Sequence, residues 1–117
     1  MNDPMVCRAE AGRIRLCLTS HFQGEDLVVT LHGGDRPHIG AVALARPGAP
    51  AEHLELPGHR EGPLAERLAR EMAEALELRV SLTCGIHLDA ILPEEIEAVQ
   101  AMAEELAREM IRSLRAR

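Results

Sequence analysis

Three short stretches gather titratable side chains beside glycine: GGDRPHIG at 33–40, GHRE at 58–61 and CGIHLD at 84–89. In the first, Gly33 and Gly34 free the backbone for positive φ and for close approach of another molecule. Successive N–H groups there can form an anion-binding nest, and Arg36 can fork onto a phosphate. The chain has no lysine, so this is not a P-loop, and the glycine spacing is not that of a dinucleotide-binding turn. The plainer reading of the same residues is a glycine-rich hairpin loop with Asp35 and Arg36 solvated.

His59-x-Glu61 and His87-x-Asp89 each set two potential ligands two residues apart, a spacing that shares one face of a strand. With His38 they supply three imidazoles and two carboxylates, a shell that zinc, iron or manganese accepts. Local hydrogen bonding by each histidine is the plainer alternative. The H-x-E pattern also occurs in zinc deaminases, but their downstream P-C-x-x-C is missing. No serine sits in a nucleophile elbow. Strand alternation puts Cys84 and His87 on opposite faces, which argues against a thiolate–imidazole pair. These are tools for binding rather than turnover, and a non-enzyme is expected.

The elements that must hold these stretches follow from periodicity. RIRLCLTSHF at 13–22 alternates, with Ile14, Leu16, Leu18 and Phe22 on one face. LVVTLH at 27–32 alternates as well, and a four-residue loop pairs Phe22 with Leu27 and Leu18 with Leu31. A one-residue slip would put the two apolar faces on opposite sides. MVCRAEAG adds an edge strand before this hairpin. HIGAVALA is apolar on both faces, as in a central strand covered on both sides, and HLEL at 53–56 reads as a short strand. Gly62 and Pro63 are placed as N-cap and first residue of a helix with Leu64, Leu68, Met72 and Leu76 on one stripe. Glu66–Arg70, Arg67–Glu71 and Arg70–Glu74 are spaced as surface pairs on it.

RVSLTCGIHLD at 79–89 alternates again, with Val80, Leu82, Cys84, Ile86 and Leu88 facing one way. A last helix starts at Pro93, with Glu94, Glu95 and Glu97 near its positive end and Arg108, Arg112, Arg115 and Arg117 near its negative end. Its apolar stripe is Ile96, Val99, Met102, Leu106, Met110 and Leu114. The order strands–helix–strand–helix predicts an α+β fold. A mainly antiparallel sheet of five to six strands carries two helices on one face, in a single domain over 1–117. The other face holds Cys17, Thr19, His21, Thr30, His32, Ser81, Thr83 and His87, and a partner subunit or a ligand is expected to cover part of it.

Composition narrows the partners. A net charge of −6, with arginines scattered or alternating with glutamate, offers no coherent basic surface for nucleic acid. Phe22 is the sole aromatic, so a planar ligand must be held by aliphatic side chains, backbone and histidine. No run approaches the length of a membrane span, and the N-terminus lacks a signal peptide's apolar core. Three cysteines without C-x-x-C spacing read as free thiols of a cytosolic protein.

In order and at matching spacing, GGDRPHIG before an apolar strand, GHRE before a helix and CGIHLD before the last helix resemble the prenylated-flavin chaperone family, the LpdD-like proteins. The resemblance runs over residues 12–112. It implies a fold similar to proteasome assembly chaperones, a homodimer, and binding of reduced prenylated FMN for delivery to a UbiD-type decarboxylase apoenzyme. The positions that match its motifs are Gly33, Gly34, Asp35, His38, Gly40, His59, Glu61, Gly85, His87 and Asp89, and Arg36 joins them as a phosphate partner. Two other classes stay open: a metal-dependent enzyme using His38, His59, Glu61 and His87, and an assembly factor with no small-molecule ligand.

Overall fold

In the computed structural model, which describes residues 4–116, alternating apolar residues form three consecutive antiparallel strands. These are β1 (Met5–Ala11), β2 (Ile14–Gln23) and β3 (Asp26–Gly34). Leu18 pairs with Leu31 and Phe22 with Leu27, the register expected from the matching apolar faces. Gln23 pairs with Asp26 across a tight turn in which Gly24 takes φ +63°, a left-handed conformation that glycine adopts without steric cost.

The chain continues through β4 (Ala41–Ala45), β5 (Glu52–Glu55), α1 (Gly62–Leu76), β6 (Val80–His87) and α2 (Pro93–Arg115). The sheet order is β1-β2-β3-β6-β4-β5. Every neighbouring pair is antiparallel except β3–β6, which is parallel. The expected α+β architecture is therefore present, with one parallel pair that the hairpin spacing did not announce. The parallel pair requires a long crossover, supplied by β4, β5 and α1.

Both helices close one face over a core of Leu18, Leu27, Leu31, Leu68, Met72, Leu82 and Met110, all fully buried. The stripe of α1 and most of that of α2 point into it, but Ile96 near the start of α2 is half exposed. Three local expectations need correction. Glu61, not Gly62, is the N-cap of α1. Arg67 does not pair along α1; it reaches Glu104 of α2 at 2.9 Å, because the second helix lies alongside. β4 is covered on one face only: Ala41, Ala43 and Ala45 are buried, whereas Val42 and Leu44 are exposed on the face opposite the helices. Arg117 lies outside the described residues.

Because β6 is inserted between β3 and β4, residues 35–40 are not a hairpin loop. They must step over the last turn of β6 to reach β4. Glycine makes the step possible. A Cβ on Gly34 (φ +77°) would collide with the carbonyl of His87, and a Cβ on Gly85 would collide with that of His38. The crossing is tied down where it lands, as Asp35 N–H donates to the His87 carbonyl at 2.6 Å and Gly40 N–H to the Cys84 carbonyl at 2.8 Å.

Candidate functional site

The crossing loop, the end of β6 and the beginnings of α1 and α2 meet at one rim of the sheet, around a cleft of about 440 Å³. That lies within the roughly 300–1,000 Å³ of small-molecule pockets. His38, His59, Arg60, Glu61 and His87 give it one polar wall, and Leu64, Ile86, Leu88, Ile91, Ile96 and Val99 give it an apolar one. A second, more open cleft of about 330 Å³ is lined by Arg36, His38, Ile39, His59 and His87. The three histidines, far apart in sequence, thus share both clefts.

Glu61 is the hub. As the residue before α1 it makes no side-chain cap of its own helix. Its carboxylate turns inward and accepts N–H from Ile86 at 3.2 Å and from Arg60 at 3.1 Å. It fits there because residue 40 is glycine, where a Cβ would come within 2.6 Å of Glu61 Oε1. The first N–H of α1 goes instead to Glu55 Oε2 at 2.7 Å. His38 Nε2 stands 3.1 Å from Glu61 Oε2 and 3.2 Å from His59 Nδ1, and the two rings lie tilted with centroids 4.9 Å apart. His59 Nδ1 is 3.4 Å from Glu61 Oε1.

On the opposite side of the crossing loop, His87 Nε2 donates to Asp89 Oδ1 at 2.9 Å. This bond, and then Arg36 at 3.4 Å, holds the Asp89 carboxyl below the usual carboxylate range. Asp35 accepts the N–H of Asp89 at 3.0 Å and lies 3.9 Å from Arg13. Asp35 and Asp89 therefore lace the loop to the strand end, where His87 lines both clefts. Gly33 is packed against the carbonyl of Arg15 in β2. Gly33, Gly34, Gly40 and Gly85 all have their Cβ space filled by the protein itself, so they let the walls of the site approach one another.

All the residues singled out in the three motifs thus gather at this end of the sheet. His38, His59 and Glu61 form one group; His87, Asp89, Asp35 and Arg36 form another. The apolar wall was not singled out. Ile96 and Val99 read as ordinary members of the α2 stripe, and the signal that could have marked the wall is Ile91, a large apolar residue exposed in a loop.

Nearly the whole chain is similar to known proteins. The model of the family described as prenylated flavin chaperone LpdD-like domain matches residues 10–115. Protein LpdD of Lactiplantibacillus plantarum is 31% identical over 98 residues, which cover 80% of this chain and 72% of that protein. A chain from the crystal structure of a chaperone complex for yeast 20S proteasome assembly superposes with a TM-score of 0.60 at 10% identity. The match covers 95% of both chains and shows a shared fold.

Proposed function

The chain belongs to the prenylated flavin chaperone LpdD-like family, and we propose that its rim cleft binds reduced prenylated FMN as cargo and passes it to a UbiD-type decarboxylase apoenzyme. The observation that carries this reading is the convergence of His38, His59 and His87 on one pair of adjoining clefts with a polar and an apolar wall. The apolar wall suits the flavin ring and prenyl group, which in a site without aromatic side chains must be gripped by Leu64, Ile86, Ile91 and Ile96. The histidines, Arg36 and Arg60 suit the phosphate and the ring carbonyls. Gly33, Gly34, Gly40 and Gly85, with Asp35, Glu61 and Asp89, hold that frame. No residue is assigned a catalytic role, in keeping with a family of named chaperones.

The working form in this reading is a homodimer. Val42 and Leu44 of β4 and Leu54 and Leu56 of the β5 region are exposed, and Val42 and Leu54 are cross-strand partners. A second copy covering them would account for a strand that is apolar on both faces. Free thiols at Cys7, Cys17 and Cys84 suit a reducing compartment, and the cytosol is the proposed place of action. No described helix is long and apolar enough to cross a membrane.

Anaerobic titration tests the cargo. Reduced prenylated FMN should give a saturable spectral change, strongly weakened for reduced FMN. His38→Ala and His87→Ala should each weaken binding about tenfold or more while leaving the circular dichroism unchanged. Absence of binding with either flavin would discard the cargo reading and leave an assembly factor for protein partners.

A further inference from the structure

We propose that His38, His59 and Glu61 form a binding site for a divalent zinc-class metal ion, with its remaining coordination position open to the cleft. His38 Nε2 stands 3.2 Å from His59 Nδ1 and 3.1 Å from Glu61 Oε2, and His59 Nδ1 lies 3.4 Å from the other carboxylate oxygen, Oε1. Bonds of about 2.0–2.1 Å to one tetrahedral ion set neighbouring ligand atoms about 3.3 Å apart. The His38–His59 and His38–Glu61 separations therefore already match two edges of such a face, and one nitrogen from each imidazole and one carboxylate oxygen all lie within 4.8 Å of one another, so that a small turn of the Glu61 carboxylate completes it.

The placement of protons points the same way. His38 Nδ1 lies 2.9 Å from the carbonyl of Arg36, which can only accept, so the ring's proton sits on Nδ1. In the neutral ring, Nε2 then presents a bare lone pair to the Glu61 carboxylate at 3.1 Å. His59 can bring one proton on Nδ1, but the closest contact, His38 to Glu61, has none. Such a contact is bridged either by a metal ion or by a second proton that makes His38 an imidazolium, and metal titration separates the two. The Nδ1–H bond to a carbonyl is also the outer-shell bond that orients a metal-binding histidine, and the N–H groups of Ile86 and Arg60 orient Glu61 in the same way.

Ligand chemistry selects the ion. Two imidazoles and one carboxylate suit zinc and its neighbours and disfavour calcium or magnesium, which prefer oxygen. Three protein ligands leave a position free, as in sites that bind an exogenous group. His87, committed to Asp89, stays outside this set.

Cobalt(II) titration of the full chain, with no flavin present, tests the site. Saturation at one ion per chain with the visible bands of four-coordinate cobalt, reversed by zinc, is the expected result. Glu61→Gln and His59→Ala should each weaken cobalt binding tenfold or more, whereas Glu66→Gln, which loses an exposed two-residue pair with His53, should leave it unchanged. Should the site variants fold poorly, the wild-type melting temperature should still climb with zinc concentration. No saturable cobalt uptake, uptake that survives both site variants, or a melting temperature indifferent to zinc would overturn the proposal and leave a protonated His38 beside Glu61. Because cobalt and flavin are titrated separately, this outcome and that of the cargo experiment are independent.

Discussion

The carbonyl oxygen of His38 rests directly against the Cα of Gly85, so that any side chain at position 85 would collide with the main chain of the crossing loop. Both partners are backbone, and Gly40 N–H fastens the loop to the Cys84 carbonyl one residue earlier. Neither side can yield cheaply. Gly85→Ala should therefore destabilise the fold by about 1–3 kcal/mol, the range of an overpacked core. It should also displace His38 from Glu61. Urea denaturation measures the first effect and cobalt or flavin titration the second. Gly48→Ala serves as the control, since residue 48 has φ +72° but nothing within 4 Å; it should leave ligand binding intact. Equal ligand binding in Gly85→Ala would show that the loop is not held by this contact.

Acid should expose a link between the β1–β2 turn and α2. Arg13 forks onto Glu95 with two bonds of 2.8 Å, and Glu95 also accepts the N–H of Leu92 at the start of α2. The guanidinium, and then the Leu92 bond, hold the Glu95 carboxyl down to about 2 from an ordinary value of 4.5. A carboxyl depressed by folding stabilises the native state fully above its unfolded value. That contribution is lost as pH falls from about 4.5 through about 2. Melting temperature followed over that window should fall steeply in the wild type and less steeply in Arg13→Ala or Glu95→Gln. Parallel acid limbs in all three would assign the acid sensitivity elsewhere, to Asp89 first.

How far the sequence revealed all this depended on whether the deciding interaction was local. The Leu18–Leu31 and Phe22–Leu27 register was legible because a four-residue loop and matched alternation fix it without reference to the rest of the chain. The insertion of β6 between β3 and β4 was not legible, since where a crossover strand lands is settled by packing of α1 on the whole sheet. That one non-local event turned a supposed hairpin loop into a crossing. It also turned glycines that looked ready for a ligand into contacts between chain segments. The candidate site residues could be listed from residue type and spacing. Their division into His38–His59–Glu61 and His87–Asp89 could not, because His38 arrives on a different segment from the other two. Arg67 is the same lesson on a helix: spacing offered Glu71, and proximity of α2 gave Glu104 instead.

Thiol chemistry should separate the three cysteines. Cys84 is fully buried under the helices, and desolvation pushes its thiol up to about 12. Burial, and then the hydrogen bond with Glu109, raises Cys7 to about 11. Since the thiolate is the nucleophile, neither should react with an aromatic disulfide reagent at pH 8 in the native protein. Cys17 is half-buried on the sheet face away from the helices and should give one fast equivalent, with the other two released only by denaturant. Cys17→Ser should abolish the fast phase. Fast modification of Cys84 would mean that β6 opens from the helices on the timescale of the reaction.

The exposed apolar patch on β4 and β5 makes the proposed dimer testable at single residues. Leu44 is 65% and Leu54 76% exposed in the single chain, so a charged side chain at either position has room and costs the isolated fold little. An edge strand usually carries charge against unwanted pairing, and β5 does so with Glu52 and Glu55, which leaves the sheet face rather than the edge as the surface to be covered. Burying arginine there without a partner would be costly for a dimer. Leu44→Arg should therefore halve the mass measured by light scattering while leaving the far-ultraviolet circular dichroism unchanged. Glu52→Gln at the edge should leave the mass as it was. A wild-type chain that is monomeric at high micromolar concentration, or a Leu44→Arg variant that keeps the dimer mass, would remove this face from the assembly.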